Sequence, residues 1–202
     1  TGKELVTQAL GAGHEVVAYV RRPEAVPPAA GLTVIGGQLD DEETLASALE
    51  GCDAVMVALG NPIRQASAPL MQIAIPTVIA AAKRAGVGRV VVLSALGVGA
   101  TYANTRYPYR LGCRTFLAGN FRDHHQGERQ LEDSGLDWTT IHPGPLADGQ
   151  RTPNPTVIDA ATGKAMPRAP RTMRADVAAT MLHALTDPTT IAKQLLLTSV
   201  TR

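Results

Sequence analysis

Cysteine is scarce in this chain of 202 residues, which holds only Cys52 and Cys113. That count supplies neither a disulfide framework nor a metal-binding pair, so small stapled folds and cysteine-built metal sites are excluded and no metal is expected. Cys52, in "LEGCDAVMVALG", reads as a small apolar filler at the entry to a buried strand. An excess of either charge is also lacking. Nineteen Lys and Arg stand against 18 Asp and Glu, a net charge of +1, which is too balanced to argue for a nucleic-acid or anionic-membrane partner. Long hydrophobic runs are absent too. The most apolar stretch, "PLMQIAIPTVIAAAKRAG", is interrupted by Gln72, Pro76 and Lys83 and is too short to span a bilayer. With no segment that reads as a signal peptide, a cytoplasmic protein is expected.

What is present is a globular composition, 45% apolar and 18% charged, at a length that suits one domain over 1–202. Strand-like and helix-like runs alternate. "HEVVAYV", "LTVIGG", "DAVMVALG", "RVVVLSALGVG", "DWTTIHPG" and "QLLLTSV" read as strands. Between them lie amphipathic helices, among them "DDEETLASALEG", capped by Asp40 or Asp41, and "FRDHHQGERQLEDSG". The strands are near-continuous apolar runs, as needed when helices cover both faces of a sheet. Right-handed crossovers then predict an α/β fold with a doubly wound parallel sheet. Pro76 conflicts with a straight helix, so a kink or a helix start is expected there. The stretch 146–172 breaks the rhythm with prolines and glycines and reads as a substrate-facing insertion.

The opening, "TGKELVTQALGAGHEVVAYVRRPE", reads as a helix, a Gly-rich turn and a strand. This is the second half of the first βαβ unit of a dinucleotide-binding sheet, with the first strand and most of the Gly-rich loop absent from this sequence. In the order 3-2-1-4-5-6 that strand is central, so roughly ten further residues upstream are expected in the native polypeptide. Ligands on such sheets bind at the carboxyl ends of the strands. Arg21 and Arg22 close the second strand, where a guanidinium matches a 2′-phosphate better than a ribose diol. The pair would also serve as solvated side chains at a strand end; the wider pattern favours NADP. Gly2 stands where the last glycine of the phosphate loop would be, and Ser94 ends "VVVLS".

A Tyr-x-x-x-Lys pair is missing. Four residues after Tyr19, Tyr102, Tyr107 and Tyr109 stand Pro23, Arg106, Leu111 and Cys113. The acid that protonates a carbonyl oxygen in ordinary short-chain dehydrogenases is therefore not available. His124 and His125 lie on a helix expected to flank the crevice, where His124 would orient a substrate or relay a proton. His142 sits beside Pro143 at a strand end, and His14 and His183 read as structural.

Taken together, "GCDAVMVALG", "AAAKRAGVGRVVVLSALGVG", "DHHQGERQLEDSGLDWTTIHPGPLADG" and "RADVAATMLHAL" resemble, in order, segments of the atypical short-chain dehydrogenase/reductases of the NAD(P)H-binding type. That group includes biliverdin-IX-beta reductase, also a flavin reductase, and the NmrA-like proteins. The resemblance covers essentially the whole chain. It implies that Thr1 and Gly2 belong to the phosphate loop, and Arg21 and Arg22 to the 2′-phosphate site. It implies further that Ala58, Leu59 and Gly60 line the adenosine ribose, Ser94 and Ala95 face the nicotinamide, and Pro143 and Gly144 hold the carboxamide edge. Where the family usually shows Gly-Asp near the adenine, this chain has Gly37-Gln38.

The function implied is an NADPH-dependent reductase passing hydride to a small-molecule acceptor of the flavin or quinone class. Such acceptors delocalise charge and take their proton from solvent, so a positioned tyrosine is dispensable and Ser94 would orient rather than protonate. The alternative is a non-catalytic, NADP-sensing regulator of the NmrA-like type. An epimerase or dehydratase acting on nucleotide sugars would need the Tyr-Lys pair and a larger C-terminal domain.

Overall fold

A computed structural model describes residues 1–61 and 69–200. Its main sheet has five strands, running in the order Ala54–Val57 (β3), Arg89–Leu93 (β4), Asp137–Pro143 (β5), Lys193–Thr198 (β9) and Thr156–Asp159 (β7). All pair in parallel except β7, which runs antiparallel along β9 at the edge. Val16–Val20 (β1) and Leu32–Gly36 (β2) form a separate parallel pair, and Leu146–Ala147 (β6) pairs with Thr172–Met173 (β8). Among the described residues no ladder joins β1 to β3.

The apolar run of β4 shows why both faces must be covered. Successive strand residues point to opposite faces. Val90 and Val92 join Leu45 of helix Glu42–Ala48 (α2), Ile75 and Val78 of helix Met71–Ala85 (α3), and Leu131 of helix Ala118–Glu132 (α5), which follows the short helix Tyr109–Arg114 (α4). Val91 and Leu93 meet Val177 and Met181 of helix Arg174–Thr186 (α6), with Leu5 of helix Gly2–Gly11 (α1) alongside. Each of these four β4 residues is at most 5% exposed, so each contributes about 1.5–3 kcal/mol by burial. The sheet is doubly wound about this strand.

Two buried carboxylates tie the helices down. Asp123 on α5 accepts the backbone N–H groups of Leu70 (3.0 Å), Met71 (2.9 Å) and Gln72 (3.2 Å), and also the Gln72 amide (3.2 Å). It satisfies the N-terminus of α3 from another helix, where α3 has no side-chain cap of its own. Asp176 on α6 accepts Thr152 N–H at 2.8 Å, the Thr152 hydroxyl at 2.7 Å and the Ser199 hydroxyl, binding the stretch 146–172 to the end of β9. Asp41 is the cap of α2, accepting Thr44 N–H at 3.0 Å.

Two helix starts differ from expectation. The helix does not restart at Pro76: α3 begins at Met71 and carries Pro76 within it. Pro76 and Gln72 are both exposed, so the carbonyl that loses its partner is open to water. Helix α5 starts at Ala118, ahead of Phe121. Within the stretch 146–172, β7 adds an edge strand whose Ile158 packs with the buried Leu96, Met166 and Leu196.

Candidate functional site

The ends of β4 and β5 build the site by strand alternation. Leu93 pairs with Ile141 and both face α6. The next residues, Ser94 and His142, therefore face the opposite side, where α5 lies. Asn120, His124 and Glu128 sit at i, i+4 and i+8 of α5, one stripe of the helix. Ser94, His124, Glu128 and His142 are all buried.

The Ser94 hydroxyl donates to Glu128 Oε1. Glu128 Oε1 also lies 3.6 Å from His142 Nε2. His142 Nδ1 is 3.0 Å from the Ala95 carbonyl, which only accepts, so Nδ1 carries the hydrogen. Its Nε2 then accepts from the Thr140 hydroxyl at 2.9 Å. Burial drives the pKa of His142 down to about 4, against the Ala95 bond that favours its cation. Burial also pushes the Glu128 carboxyl up to about 8, although the Ser94 bond favours the carboxylate. Both groups are therefore neutral near pH 7, and their contact is not an ion pair. His124 is held down by burial as well.

The stripe on α5 is not fully paired. Among the described residues, Asn120 Oδ1, His124 Nδ1 and Glu128 Oε2 are buried without a hydrogen-bond partner. Three orphaned polar atoms on one face of one helix, above two strand ends, are expensive unless a ligand or water meets them.

The remaining predicted residues stand at the strand ends or at the start of α1. Thr1 is the N-cap of α1, makes no side-chain cap bond, and its buried hydroxyl oxygen has no partner among the described residues. A Cβ on Gly2 or on Gly60 would meet nothing within 4 Å, so the backbone is approachable at both. Arg21 and Arg22 are exposed after β1, and no described carboxylate pairs with either. Ala58 and Leu59 are half-buried beyond β3. Gln38 is exposed, and its carbonyl accepts the Tyr19 hydroxyl at 2.9 Å. The Tyr19 ring lies against Gly37 so closely that a Cβ there would stand 1.9 Å from the phenol oxygen.

Pro143 and Gly144 are committed to the sheet. The Pro143 carbonyl accepts Leu96 N–H at 2.8 Å, and Gly144 N–H donates to the Leu197 carbonyl at 3.1 Å. Gly144 is glycine because the chain passes Pro170 there, 2.7 Å from where a Cβ would be. Glu128 is the residue that reading the sequence missed. The signal was an acid at a core position of α5, in step with Phe121, His124 and Leu131.

The sequence pattern of a family described as NAD(P)H-binding matches residues 1–188. This chain belongs to that family. A chain solved as ChuY, an anaerobilin reductase of Escherichia coli O157:H7, superimposes with a TM-score of 0.79 at 24% identity, covering 100% of this chain and 93% of that one. A wide-type short-chain dehydrogenase/reductase of Veillonella parvula, solved in complex with NADP, gives 0.79 at 17% identity, covering 97% and 88%. A segment of 59 residues is 44% identical to the photosystem II assembly factor Ycf39 of Synechocystis, covering 28% of this chain and only 18% of that protein's length. The chain thus shares the α/β fold of those two NAD(P)-binding-type structures and belongs to an NAD(P)H-binding family. No helix among the described residues is long and apolar enough to cross a membrane.

The donors present fit a nicotinamide dinucleotide. The uncapped start of α1, with the orphaned Thr1 hydroxyl, suits a pyrophosphate. Beyond it, the guanidiniums after β1, with no carboxylate partner among the described residues, and the orphaned polar stripe above β4 and β5 are groups of the kind that could meet the charged and polar ends of such a ligand.

Proposed function

We propose that this protein is an NADPH-dependent reductase acting on a small conjugated acceptor of the flavin or quinone class. The observation that carries the reading is the buried Ser94–Glu128–His142 cluster with its unpartnered atoms, at the carboxyl ends of two central strands in an NAD(P)H-binding chain. The cofactor supplies hydride from its reduced nicotinamide. The protein's own residues do the rest. Thr1 and the first N–H groups of α1 hold the pyrophosphate, and Arg21 and Arg22 grip the 2′-phosphate and so select NADPH over NADH. Ala58, Leu59 and Gly60 flank the adenosine ribose. Ser94 and Ala95 orient the nicotinamide, while His124 and Asn120 face the acceptor from α5. Because Pro143 and Gly144 spend their backbone groups in the sheet, the carboxamide edge is shaped by their packing rather than by those bonds.

The test is NADPH oxidation with FMN, FAD and menadione as acceptors. Turnover on any of them supports the reductase. Tight NADPH binding with no turnover on all three would instead favour a cofactor-sensing regulator.

A further inference from the structure

We propose that Glu128 is the proton store behind Ser94, and that the acceptor this relay serves is a quinone or conjugated carbonyl rather than a flavin. The proposal rests on the reductase reading above and assigns the source of the proton within it.

Geometry carries the argument. Ser94 Oγ and Glu128 Oε1 are in direct hydrogen-bond contact, both buried. A carboxylic acid and a hydroxyl can share such a contact in either direction. With the acid proton on Oε1, Glu128 donates to Ser94 Oγ, and the serine hydrogen is freed to point at a ligand beyond the end of β4. His142 cannot take that proton, because its Nε2 already accepts from Thr140 and stands 3.6 Å from Oε1. The second oxygen of Glu128 is buried and unpartnered among the described residues, with Gly99 beside it. A Cβ built on Gly99 would lie 3.5 Å from Glu128 Oε2 and 2.6 Å from Nδ1 of His125, whose side chain is exposed. The refilling route that belongs to the proposal runs from solvent by way of the exposed His125 and past Gly99 to that oxygen.

The step balances. The acceptor takes hydride from the reduced nicotinamide, which is oxidised. The acceptor oxygen then forms an O–H bond as the Ser94 Oγ–H bond breaks, and the Glu128 O–H bond breaks as the serine O–H re-forms. Glu128 is left as carboxylate and regains its proton from water by way of His125. A quinone or conjugated carbonyl becomes a basic oxyanion on taking hydride and needs that proton. A flavin becomes a hydroquinone anion that persists at neutral pH and does not.

The ionisable groups facing Glu128 are His142 from β5, His124 and Glu132 from α5 itself, and His125 across Gly99. From α3, Met71 and Ile75 pack on α5 at Gly127, and both are apolar. Burial among them keeps the acid protonated near pH 7.

Two measurements test the relay. In the first, the cofactor-free protein carries 13C-labelled glutamate, and the Glu128 carboxyl resonance is assigned by its loss in Glu128→Gln. Titration near pH 8 is expected, whereas a carboxyl already ionised at pH 6 overturns the store whatever the protein catalyses. In the second, Glu128→Gln and wild type are compared with menadione and with FMN. The expected loss of kcat on menadione is about a hundredfold, the usual weight of a positioned general acid, and exceeds the loss on FMN at least tenfold. The high-pH decline of wild-type menadione turnover is also expected to vanish in the variant. Equal losses on both acceptors, or none on menadione, would show a structural residue and overturn the relay. Wild-type turnover of FMN without menadione overturns the acceptor class, and turnover of neither removes the reductase reading while leaving the carboxyl titration to decide the store.

Discussion

The buried acid makes stability depend on pH in a way that can be worked from the structure. The Glu128 carboxyl titrates at about 8 in the folded chain against 4.5 as a free side chain, raised chiefly by burial. Its folded value lies above its unfolded one. Its contribution is therefore fully present below about pH 4.5 and is lost as pH rises through about 8. Each pH unit in that window costs about 1.4 kcal/mol, or roughly 4 kcal/mol between about pH 5 and about pH 8. His142 works the other way. Its pKa falls from 6.5 to about 4, so its contribution is present above 6.5 and lost as pH falls toward 4. The two slopes oppose each other between about 4.5 and 6.5, and the Glu128 slope stands alone above that. The perturbation that isolates it is Glu128→Gln, which keeps the shape and removes the proton. Urea unfolding at several pH values, followed by the single Trp138, gives the difference between wild type and variant. Groups common to both, including the amino terminus and the two thiols, cancel in that difference. The variant should gain about 4 kcal/mol on wild type from about pH 5 to about pH 8. A difference constant within about 1 kcal/mol would refute the neutral acid.

Asp123→Ala removes four accepted bonds from the start of α3 and should cost about 3 kcal/mol, with Asp123→Asn costing about half, read as a lower urea midpoint at unchanged m. Replacing Arg21 and Arg22 by alanine should weaken NADPH by about 1.5–3 kcal/mol per lost charge-assisted contact and leave NADH nearly unchanged, as calorimetry would show; equal losses would remove the 2′-phosphate assignment. Gly37→Ala places a methyl group on the Tyr19 phenol and should destabilise by about 1–3 kcal/mol. Combining it with Tyr19→Ala should cost less than the sum of the two single changes, because the clash disappears with the ring.

The fold was legible because its signals are local. Short apolar runs such as "RVVVL" and "QLLLT" read as strands covered on both faces, and β4 and β9 are so covered. The Asp41 cap and the alternation of helices needed no tertiary information either. What failed was non-local. β7 carries a weak strand pattern amid prolines, and pairing along β9 decides it. The missing donor of Pro76 is visible in the sequence, but its cost depends on whether the deserted carbonyl meets water, which is a matter of exposure.

The site was half legible for the same reason. Strand-end position alone singled out Ser94, yet its partner is 34 residues away on α5. What Glu128 does depends on burial, which no spacing states. The adjacent pair Asp123-His124 shows the difference most clearly. Adjacent helix residues point about 100° apart, so the two side chains serve different neighbours. Asp123 turns to α3 and spends its carboxylate on three backbone N–H groups. His124 turns inward to the polar stripe and keeps Nδ1 unpartnered among the described residues. The first ties α5 to the start of α3, and the second, with Glu128 one turn on, lies on the buried polar stripe of the helix so held. Replacing Asp123 should then disturb chemistry only through that placement, whereas replacing Glu128 should act on the proton itself.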